Sequence, residues 1–396
     1  MFVASAIVIV YKELLMPIPE FKHLRRAYGF DEVALVPGDI TVNPDQTNIE
    51  LHIDKLTFPL PILAAAMDAV VNPSFAIALS QFGGLGVLNL EGVQTRYANP
   101  SEVLHYIVSA TPAEVTPLLQ KVYSEPIKEN LVGDRIRSIK QGGGMIAVSV
   151  TPQTTKILAP LAVEAGADIM VVQSTVTTAR HISKSYTGLI FSDLVNSIPV
   201  PVVVGNCVSY GAALEMMRTG IAGLLVGVGP GAACTTREVL GVGVPQVTAT
   251  LDCASAREQY FKESGRYVAI ITDGGMRNGG DICKAFASGA DGVMLGSIFA
   301  QTEESPGHGY HWGMATSHVA LPRGTRIKVG VTGKLAQTLM GPATVTDGSQ
   351  NLVGAIRTAL GVCGAFTIRD MHKTEIVIAP AIKTEGKVFQ MSKGQC

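Results

Sequence analysis

The chain lacks the cysteine spacing of a zinc site or a disulfide framework. None of its six cysteines belongs to a C-x-x-C pair; they are Cys207, Cys234, Cys253, Cys283, Cys363 and Cys396. Free thiols are typical of a reducing compartment. We therefore expect a cytoplasmic protein.

Charge is also scarce, and no run of basic residues occurs. Charged residues make up 16% of the 396 positions, and the formal net charge is -1. A broad nucleic-acid-binding face needs clustered Lys and Arg, so we expect no nucleic-acid partner. Together with 42 glycines, the low charge is typical of a compact α/β enzyme with tight loops.

Long apolar runs are missing as well. The apolar stretch at residues 2–10 is too short to span a bilayer and lacks the flanks of a signal peptide. We expect no membrane partner. For residues 1–15 we favour a strand, a disordered tail or a true start at Met16 over a signal peptide, which is the minor alternative.

Short apolar runs bounded by Gly, Pro or Asp recur through the chain and predict buried parallel strands. Eight such runs occur, at residues 61–67, 85–90, 145–150, 168–173, 201–206, 223–228, 267–272 and 291–296. Helical stretches separate most of them. This alternation favours a closed (β/α)8 TIM barrel. A doubly wound open sheet needs a G-x-G-x-x-G turn after an early strand, and no early strand carries one.

The barrel accounts for residues 25–396 as one catalytic domain that follows an N-terminal extension at 1–24. Two segments depart from the alternation of strand and helix. Residues 91–143 predict an insertion of helices with polar faces, too short for a further regulatory domain. Residues 302–350 are rich in Gly, Pro and Thr and follow the eighth strand, where active-site flaps occur.

The segment GVGPGAACTTREVL, at 227–240, contains a candidate nucleophile. It follows the sixth predicted strand and so belongs to the face of the barrel that carries catalytic loops. Gly229 and Gly231 permit sharp turns. Cys234 is a nucleophile if neighbouring donors or charge lower its pKa. The alternative, a buried small cysteine in a glycine turn, is disfavoured by the position of the loop.

Glycine clusters follow the seventh and eighth runs, at 271–281 and 292–300. In barrels these two loops commonly bind phosphate through backbone N–H groups. The residues suited to this task are Gly274, Gly275, Gly296 and Ser297. Asp273 ends a strand beside them, where a carboxylate accepts hydrogen bonds from ribose hydroxyls. Alternatively, the glycines only form turns and Asp273 caps a helix.

Other strand ends and the flap carry weaker candidates. Met67 is placed to lie against a flat base, Asp68 is interpreted as a cap of the following helix, and Asn206 is placed to donate to a substrate oxygen. The flap also contains three histidines, His308, His311 and His318. No acid is spaced to complete a metal site with them, so we interpret them as polar loop residues.

Seven motifs of the chain resemble those of the inosine monophosphate (IMP) dehydrogenase and GMP reductase superfamily. They are AAAMDAV, GNCVS, GVGPGAACTTR, PQVTAT, DGGMRNGGD, MLGS and WGMAT, in the order seen in that family. The resemblance extends from about Arg25 to Met371. It is closest to the short, dehydrogenase-related branch that lacks tandem regulatory (CBS) domains, since residues 91–143 occupy the place of such domains.

The resemblance implies a homotetrameric enzyme that converts IMP to xanthosine monophosphate with NAD, in guanine nucleotide biosynthesis. Cys234 would attack C2 of the purine and form a thioimidate, and Thr236 would help to activate water. Asp273 would hold the ribose. The phosphate and base would be held by Gly274, Gly275, Gly296, Ser297, Gly313 and Met314, with Met67 and Asn206 also at the substrate. The resemblance assigns NAD to Gln173, Ser174, Gly227 and Gly229, and potassium to the carbonyls of Gly229, Gly231 and Cys234.

Several positions differ from the family pattern. The Arg-Tyr pair of the dehydrogenase flap is missing from residues 318–333, which leaves Arg323 and Arg326 as candidates for the base that activates water. We select Arg323, although the high pKa of an arginine favours a solvated or phosphate-facing charge over a general base at this position. The flap glutamate of the reductases is also missing. This absence favours the dehydrogenase over a GMP reductase that uses NADPH.

Three further differences lie in the expected pocket. Gln173 stands where an acid usually contacts the cofactor ribose, Ala232 replaces a serine, and His311-Trp312 replaces a tyrosine. These changes predict a modified nucleotide pocket. They also support a rival from another class, a non-catalytic barrel that binds a purine nucleotide. The intact Cys234 and Thr236 argue against that rival, because a binding protein needs no nucleophile.

Overall fold

The computed structural model describes residues 22, 24–184, 188–313 and 325–380. Within these residues the strands are, in chain order, β1 (Val33–Leu35), β2 (Leu51–Ile53), β3 (Leu56–Phe58), β4 (Ile62–Ala64), β5 (Leu85–Asn89), β6 (Ile146–Val150), β7 (Ile169–Gln173), β8 (Val202–Cys207), β9 (Gly223–Val226), β10 (Ala269–Asp273), β11 (Gly292–Leu295), β12 (Tyr310–His311), β13 (Ile327–Lys328) and β14 (Ile376–Ile378).

The α-helices of the same residues are α1 (Pro73–Gln81), α2 (Val93–Arg96), α3 (Pro100–Ser109), α4 (Pro112–Ser124), α5 (Glu129–Gln141), α6 (Thr155–Glu164), α7 (Phe191–Ser197), α8 (Tyr210–Met217), α9 (Thr236–Leu240), α10 (Gln246–Ser264), α11 (Gly279–Ala287), α12 (Ser297–Ala300), α13 (Leu335–Met340), α14 (Leu352–Val362) and α15 (Ile368–Met371). Short 3-10 helices occur at Phe30–Glu32 and Pro44–Gln46. Of the described helices, none is long and apolar enough to cross a membrane.

In the described chain, eight parallel strands close a barrel in the order β10-β11-β4-β5-β6-β7-β8-β9. Each barrel strand coincides with one of the eight apolar runs, with β8 and β10 extending one residue beyond theirs, so the predicted (β/α)8 TIM barrel is confirmed. The strands are apolar on both faces because one face fills the barrel and the other packs against helices. The register is parallel throughout, for example with Asp273 of β10 beside Met294 of β11.

The antiparallel pair β2–β3 packs against the N-terminal end of the barrel. Its side chains Leu51, Ile53 and Phe58 join the apolar cluster that fills the interior. Gly292, at the start of β11, lies against Leu51, since a Cβ there would be 3.1 Å from its Cδ2. This packing leaves the opposite, C-terminal end of the barrel for the site.

Helices α2 to α5 lie between the second and third barrel strands and form the insertion predicted for residues 91–143. The apolar faces of α2, α3 and α4 form, together with Ala69, a cluster of buried residues around Trp312: Val93, Leu104, Ile107, Val115, Leu119, Val122 and Tyr123. Trp312 itself is fully buried. The insertion therefore packs directly against the start of the predicted flap.

A chain of buried hydrogen bonds reinforces this contact. Trp312 Nε1 donates to the Tyr123 hydroxyl at 2.8 Å, which donates to Asp68 Oδ2 at 2.7 Å. Asp68 Oδ2 also accepts the backbone N–H of Val93, at the start of α2. Asp68 was expected to cap the helix that follows it, but Asn72 caps α1 by accepting the N–H of Phe75. Asp68 instead binds the insertion.

Candidate active site

Polar side chains from four barrel strands meet at the C-terminal end of the barrel. The carboxylate of Asp273, on β10, accepts a hydrogen bond from Asn206 Nδ2 at 2.8 Å and from Gln173 Nε2 at 3.2 Å. The Ser149 hydroxyl donates to Gln173 Oε1 at 3.4 Å. These residues end or nearly end their strands, and parallel strands bring their carboxyl ends to one rim.

Desolvation controls the charge of Asp273. Burial raises the pKa of its carboxyl to about 6, and the hydrogen bond from Asn206 opposes this rise. The carboxylate is therefore largely ionised at neutral pH and ready to accept hydrogen bonds. Asp273 does not cap a helix, because Asn278 caps α11 by accepting the N–H of Asp281.

Asn206 and Gln173 are engaged in supporting Asp273. Asn206, expected to donate to a substrate, gives an N–H to Asp273, while its Oδ1 is buried and has no hydrogen-bond partner among the described residues. Gln173 occupies the position where the family resemblance places an acid. Its amide donates to Asp273. The site therefore has a single carboxylate here, that of Asp273, beside the neutral side chain of Gln173.

Cys234 lies in the loop between β9 and α9, as its motif predicts. Its backbone N–H donates to the carbonyl of Gly231 at 3.0 Å, and its Sγ lies 3.2 Å from Thr236 Oγ1. Thr236 is buried and begins α9, whereas Cys234 is partly exposed. The thiol and hydroxyl are thus adjacent, and Cys234 is the more exposed of the two residues.

Arg237 stabilises this loop from behind. Its Nη2 donates to the carbonyl of Val244 at 2.8 Å and its Nε to that of Val228 at 3.3 Å. A Cβ at Gly229 would lie 2.6 Å from Arg237 Cγ, and the φ of Gly229 is +75°. Glycine is therefore required at this position.

The loop after β10 packs against the loop that carries the cysteine. A Cβ at Gly274 would lie 3.5 Å from the backbone N of Gly231, and one at Gly275 would lie 3.1 Å from Pro230 Cβ. Both glycines have positive φ, +81° and +83°. This contact places the loop of Cys234 beside the residues that are predicted to bind the ribose and the phosphate.

Gln246 is a structural residue of the site that sequence reasoning did not assign. It is buried at the start of α10, and its Nε2 donates to the carbonyls of Val226 and Asp273, at 2.9 and 2.8 Å. It therefore joins the ends of β9 and β10. The PQVTAT motif was a signal for this residue, but nothing in the motif specifies a partner.

The loop after β11 lies beside Met67. A Cβ at Gly296 would be 3.0 Å from Met67 Sδ, and both residues are partly exposed. Ser297 Oγ lies 3.0 Å from His311 Nε2 on β12. His311 was interpreted as a polar loop residue, but it is buried in the site. The replacement of tyrosine at positions 311–312 was the only sequence signal for it.

The residues proposed for the cofactor differ from one another in burial and in their contacts. Gly227 is buried, and a Cβ on it would lie 2.5 Å from the carbonyl oxygen of Asp273, so it serves packing. The Ser174 hydroxyl lies 2.8 Å from Thr177 Oγ1 and donates to the carbonyl of Val176. Gln173 and Gly229 retain partial exposure at the rim.

The flap candidates have different outcomes. Gly313 is partly exposed, and Met314 and Arg323 lie outside the described residues. Arg326 was a second candidate for the base, but its guanidinium donates to the carbonyls of Ile107, Val108 and Ala110. Arg326 therefore caps the C-terminal end of α3.

Backbone carbonyls are the donors expected for the monovalent cation. Oxygen donors of this kind suit potassium, and the glycine turns of this loop are compatible with converging carbonyls. The carbonyl of Gly231 already accepts the N–H of Cys234, which leaves it a second lone pair. The described residues contain no cluster of three or more His, Cys, Asp or Glu that suits a metal ion.

The sequence and the fold match those of known proteins. The family model named IMP dehydrogenase / GMP reductase domain matches residues 27–388. An uncharacterized oxidoreductase of Mycolicibacterium smegmatis is 37% identical over 89% of this chain and 97% of its own length. Inosine-5'-monophosphate dehydrogenase of Cryptosporidium parvum is 29% identical over 89% of this chain and 92% of its own length.

The crystal structure of an IMP dehydrogenase/GMP reductase-like protein from Corynebacterium glutamicum superposes with a TM-score of 0.86 and 34% identity. The match covers 93% of this chain and 100% of that one. The family that the motifs indicated is thus confirmed. The chain belongs to the IMP dehydrogenase / GMP reductase family of oxidoreductases.

Proposed function

We propose that this enzyme oxidises IMP to xanthosine monophosphate with NAD, through a covalent thioimidate at Cys234. One observation carries the proposal: the thiol of the partly exposed Cys234 lies 3.2 Å from the Thr236 hydroxyl, beside the loop that follows Asp273. A nucleophile paired with a hydroxyl suits a two-step reaction of covalent capture and hydrolysis. A protein that only binds a nucleotide has no need of this pair.

The first step requires an oriented purine nucleotide. The ionised carboxylate of Asp273 accepts hydrogen bonds from the ribose hydroxyls, and Asn206 and Gln173 fix its orientation. The phosphate is held by Gly274, Gly275, Gly296 and Ser297, with Gly313 and Met314 at the base or phosphate. Met67 lies beside Gly296 and covers the ring. Contacts at both ends of the nucleotide hold C2 near the sulfur. Such positioning raises the reaction rate more than tighter binding of the substrate alone would.

The reaction then proceeds in two steps. The thiolate of Cys234 forms a bond to C2, and the hydrogen at C2 departs with its electron pair, which leaves the thioimidate. NAD supplies the acceptor for that electron pair. Water next adds to C2, the C2–S bond breaks, and the thiol is restored as xanthosine monophosphate forms. We assign activation of this water to Thr236 with Arg323 as base.

The remaining assignments also belong to this proposal. NAD would lie at the rim formed by Gln173, Ser174 and Gly229, while Gly227, which the resemblance also assigned to NAD, is buried and packs against the Asp273 carbonyl. Potassium would be held by the carbonyls of Gly229, Gly231 and Cys234 and would hold the loop in shape. We further propose that the enzyme is a cytoplasmic homotetramer of the guanine nucleotide pathway, with no nucleic-acid or membrane partner.

The test is the absorbance of reduced nicotinamide. One cuvette holds the enzyme, a potassium salt, IMP and NAD; a second holds GMP and NADPH. A rise in the first cuvette is the expected result. A fall in absorbance confined to the second cuvette would instead identify a GMP reductase, which releases ammonia. An unchanged absorbance in both cuvettes would favour a protein that only binds the nucleotide.

Cys234→Ala is the matched variant for this assay. We expect it to abolish turnover and to leave the dissociation constant for IMP within about twofold, because the ribose and phosphate contacts lie on other loops. Isothermal titration calorimetry measures the affinity. A variant that turns over normally, or one that no longer binds IMP, would contradict this division of roles.

A further inference from the structure

His311 presents an unusual combination of burial and incomplete hydrogen bonding. Only 2% of its surface is exposed, and its Nε2 lies 3.0 Å from Ser297 Oγ. Its Nδ1 is buried and has no hydrogen-bond partner within the described residues. Burial lowers the pKa of the imidazole to about 4, so the ring is neutral at physiological pH. A neutral imidazole carries one proton, and its place decides what the ring does.

The two tautomers have different consequences. With the proton on Nδ1, a buried N–H would have no acceptor among the residues that the structure describes, and Nε2 would consume the only hydrogen of the Ser297 hydroxyl. With the proton on Nε2, the ring donates to Ser297 Oγ and leaves only a lone pair unsatisfied at Nδ1. Buried N–H groups without an acceptor are rarer than under-satisfied acceptors. The geometry therefore favours the Nε2–H tautomer.

Donation from Nε2 orients the serine. A hydroxyl that accepts from the ring on one side directs its own hydrogen elsewhere. Ser297 is partly exposed and follows Gly296, which lies beside Met67 at the mouth of the barrel. The hydroxyl hydrogen is thus available to an anion at the mouth, where a hydrogen bond to charge is stronger than a neutral one.

We propose that His311 is a positioning residue for phosphate recognition, which holds the Ser297 hydroxyl as a donor to the phosphate of a nucleoside monophosphate. This inference rests on the proposed function for the site's ligand. It adds a residue that acts through Ser297 and does not touch the nucleotide. The site then distinguishes a nucleotide from its nucleoside partly through a neutral buried imidazole.

Four variants test the inference by calorimetric titration with IMP, inosine and inorganic phosphate. Ser297→Ala removes the donor and is expected to weaken IMP binding about tenfold or more. His311→Phe is expected to weaken it about threefold to tenfold, because the hydroxyl loses its orientation but not its hydrogen. His311→Gln keeps an N–H near the position of Nε2 and is expected to bind within about twofold of the wild type.

The double variant is the decisive one. In the Ser297→Ala background, His311→Phe is expected to cause no further loss, because the ring acts only through that hydroxyl. Inosine affinity is expected to stay constant in all variants. Thermal unfolding identifies any variant that has lost its fold. If one has, His311→Gln and the double variant are compared at a temperature at which both are folded.

The outcomes separate the two proposals. Additive losses, equal losses for IMP and inosine, or an unaltered His311→Phe would overturn the role of His311. If the wild type binds inorganic phosphate with the expected dependence on His311 but binds neither IMP nor GMP, the purine substrate is wrong and the phosphate role stands. If it binds neither nucleotide nor phosphate, both proposals fail.

Discussion

Placing a second carboxylate beside Asp273 tests the central polar cluster most directly. In Gln173→Glu, the amide that donates to Asp273 Oδ2 at 3.2 Å is replaced by a negative charge. Two carboxylates at this distance cannot both ionise easily, so the proton is retained to higher pH. The change also restores an acid at the position where the family resemblance places one.

The expected shift follows from the distance. Two unit charges 3.2 Å apart repel by on the order of 5 kcal/mol at an effective dielectric constant of about 20, and by about 1 kcal/mol in bulk water. These limits correspond to roughly one to four pKa units. Because the cluster lies at a partly exposed rim, we expect about two units. The pKa that governs ribose binding would then rise from about 6 to about 8.

The assay is the affinity for inosine between pH 5 and 8.5, measured by calorimetry. Inosine carries no phosphate, whose own second pKa of about 6 would mask the effect. The ionised carboxylate accepts hydrogen bonds from the ribose, so affinity falls as pH drops through the pKa of Asp273. Below that pKa, the affinity of the wild type for inosine is expected to fall by up to about tenfold per pH unit.

Two neutral variants serve as controls. Gln173→Met keeps the length of the side chain without charge or donor, and Asp273→Asn is expected to flatten the profile. If the profile of Gln173→Glu superimposes on that of Gln173→Met, the two side chains are not adjacent in solution and the reasoning fails.

Three stability measurements follow from the packing, each by urea unfolding. Arg326→Met removes the donors from the last carbonyls of α3 and is expected to lower the free energy of unfolding by about 1–3 kcal/mol; a change below about 0.5 kcal/mol would show that these bonds are dispensable. Tyr123→Phe breaks the bonds to Trp312 and Asp68 and is expected to cost a similar amount, and an unchanged stability would contradict the buried network. Gly227→Ala forces a Cβ to 2.5 Å from the Asp273 carbonyl oxygen and should cost about 1–3 kcal/mol, while the control Gly231→Ala, which has open space, should change little; equal effects would refute the packing argument.

The barrel was predictable because its signal is local. A parallel strand covered on both faces appears in the sequence as a continuous apolar run, and each of the eight runs coincides with a barrel strand to within one residue at its C-terminal end or lies around it. The cysteine loop was also predictable, because Gly229, which has a positive φ, and the strand before it specify a turn at the C-terminal end of the barrel.

The partners of the polar residues were not predictable, because they depend on contacts distant in sequence. Gln173 and Asp273 are 100 residues apart, and Tyr123 and Trp312 are 189 apart. Arg326 shows the same limit. A cation in a loop rich in Gly and Thr carries no local sign of whether it faces substrate or caps a helix, and here three carbonyls of the insertion determine its position.

The bonds from Tyr123 and Arg326 also constrain how this enzyme can be redesigned. The insertion lies between two consecutive barrel strands, β5 and β6, which makes its deletion an obvious way to shorten the chain. Its deletion would expose Trp312, remove two hydrogen-bond donors to Asp68 and leave the guanidinium of Arg326 without its three acceptors. A minimal barrel made from this chain would therefore need new support for both sides of the flap before it could retain a formed site.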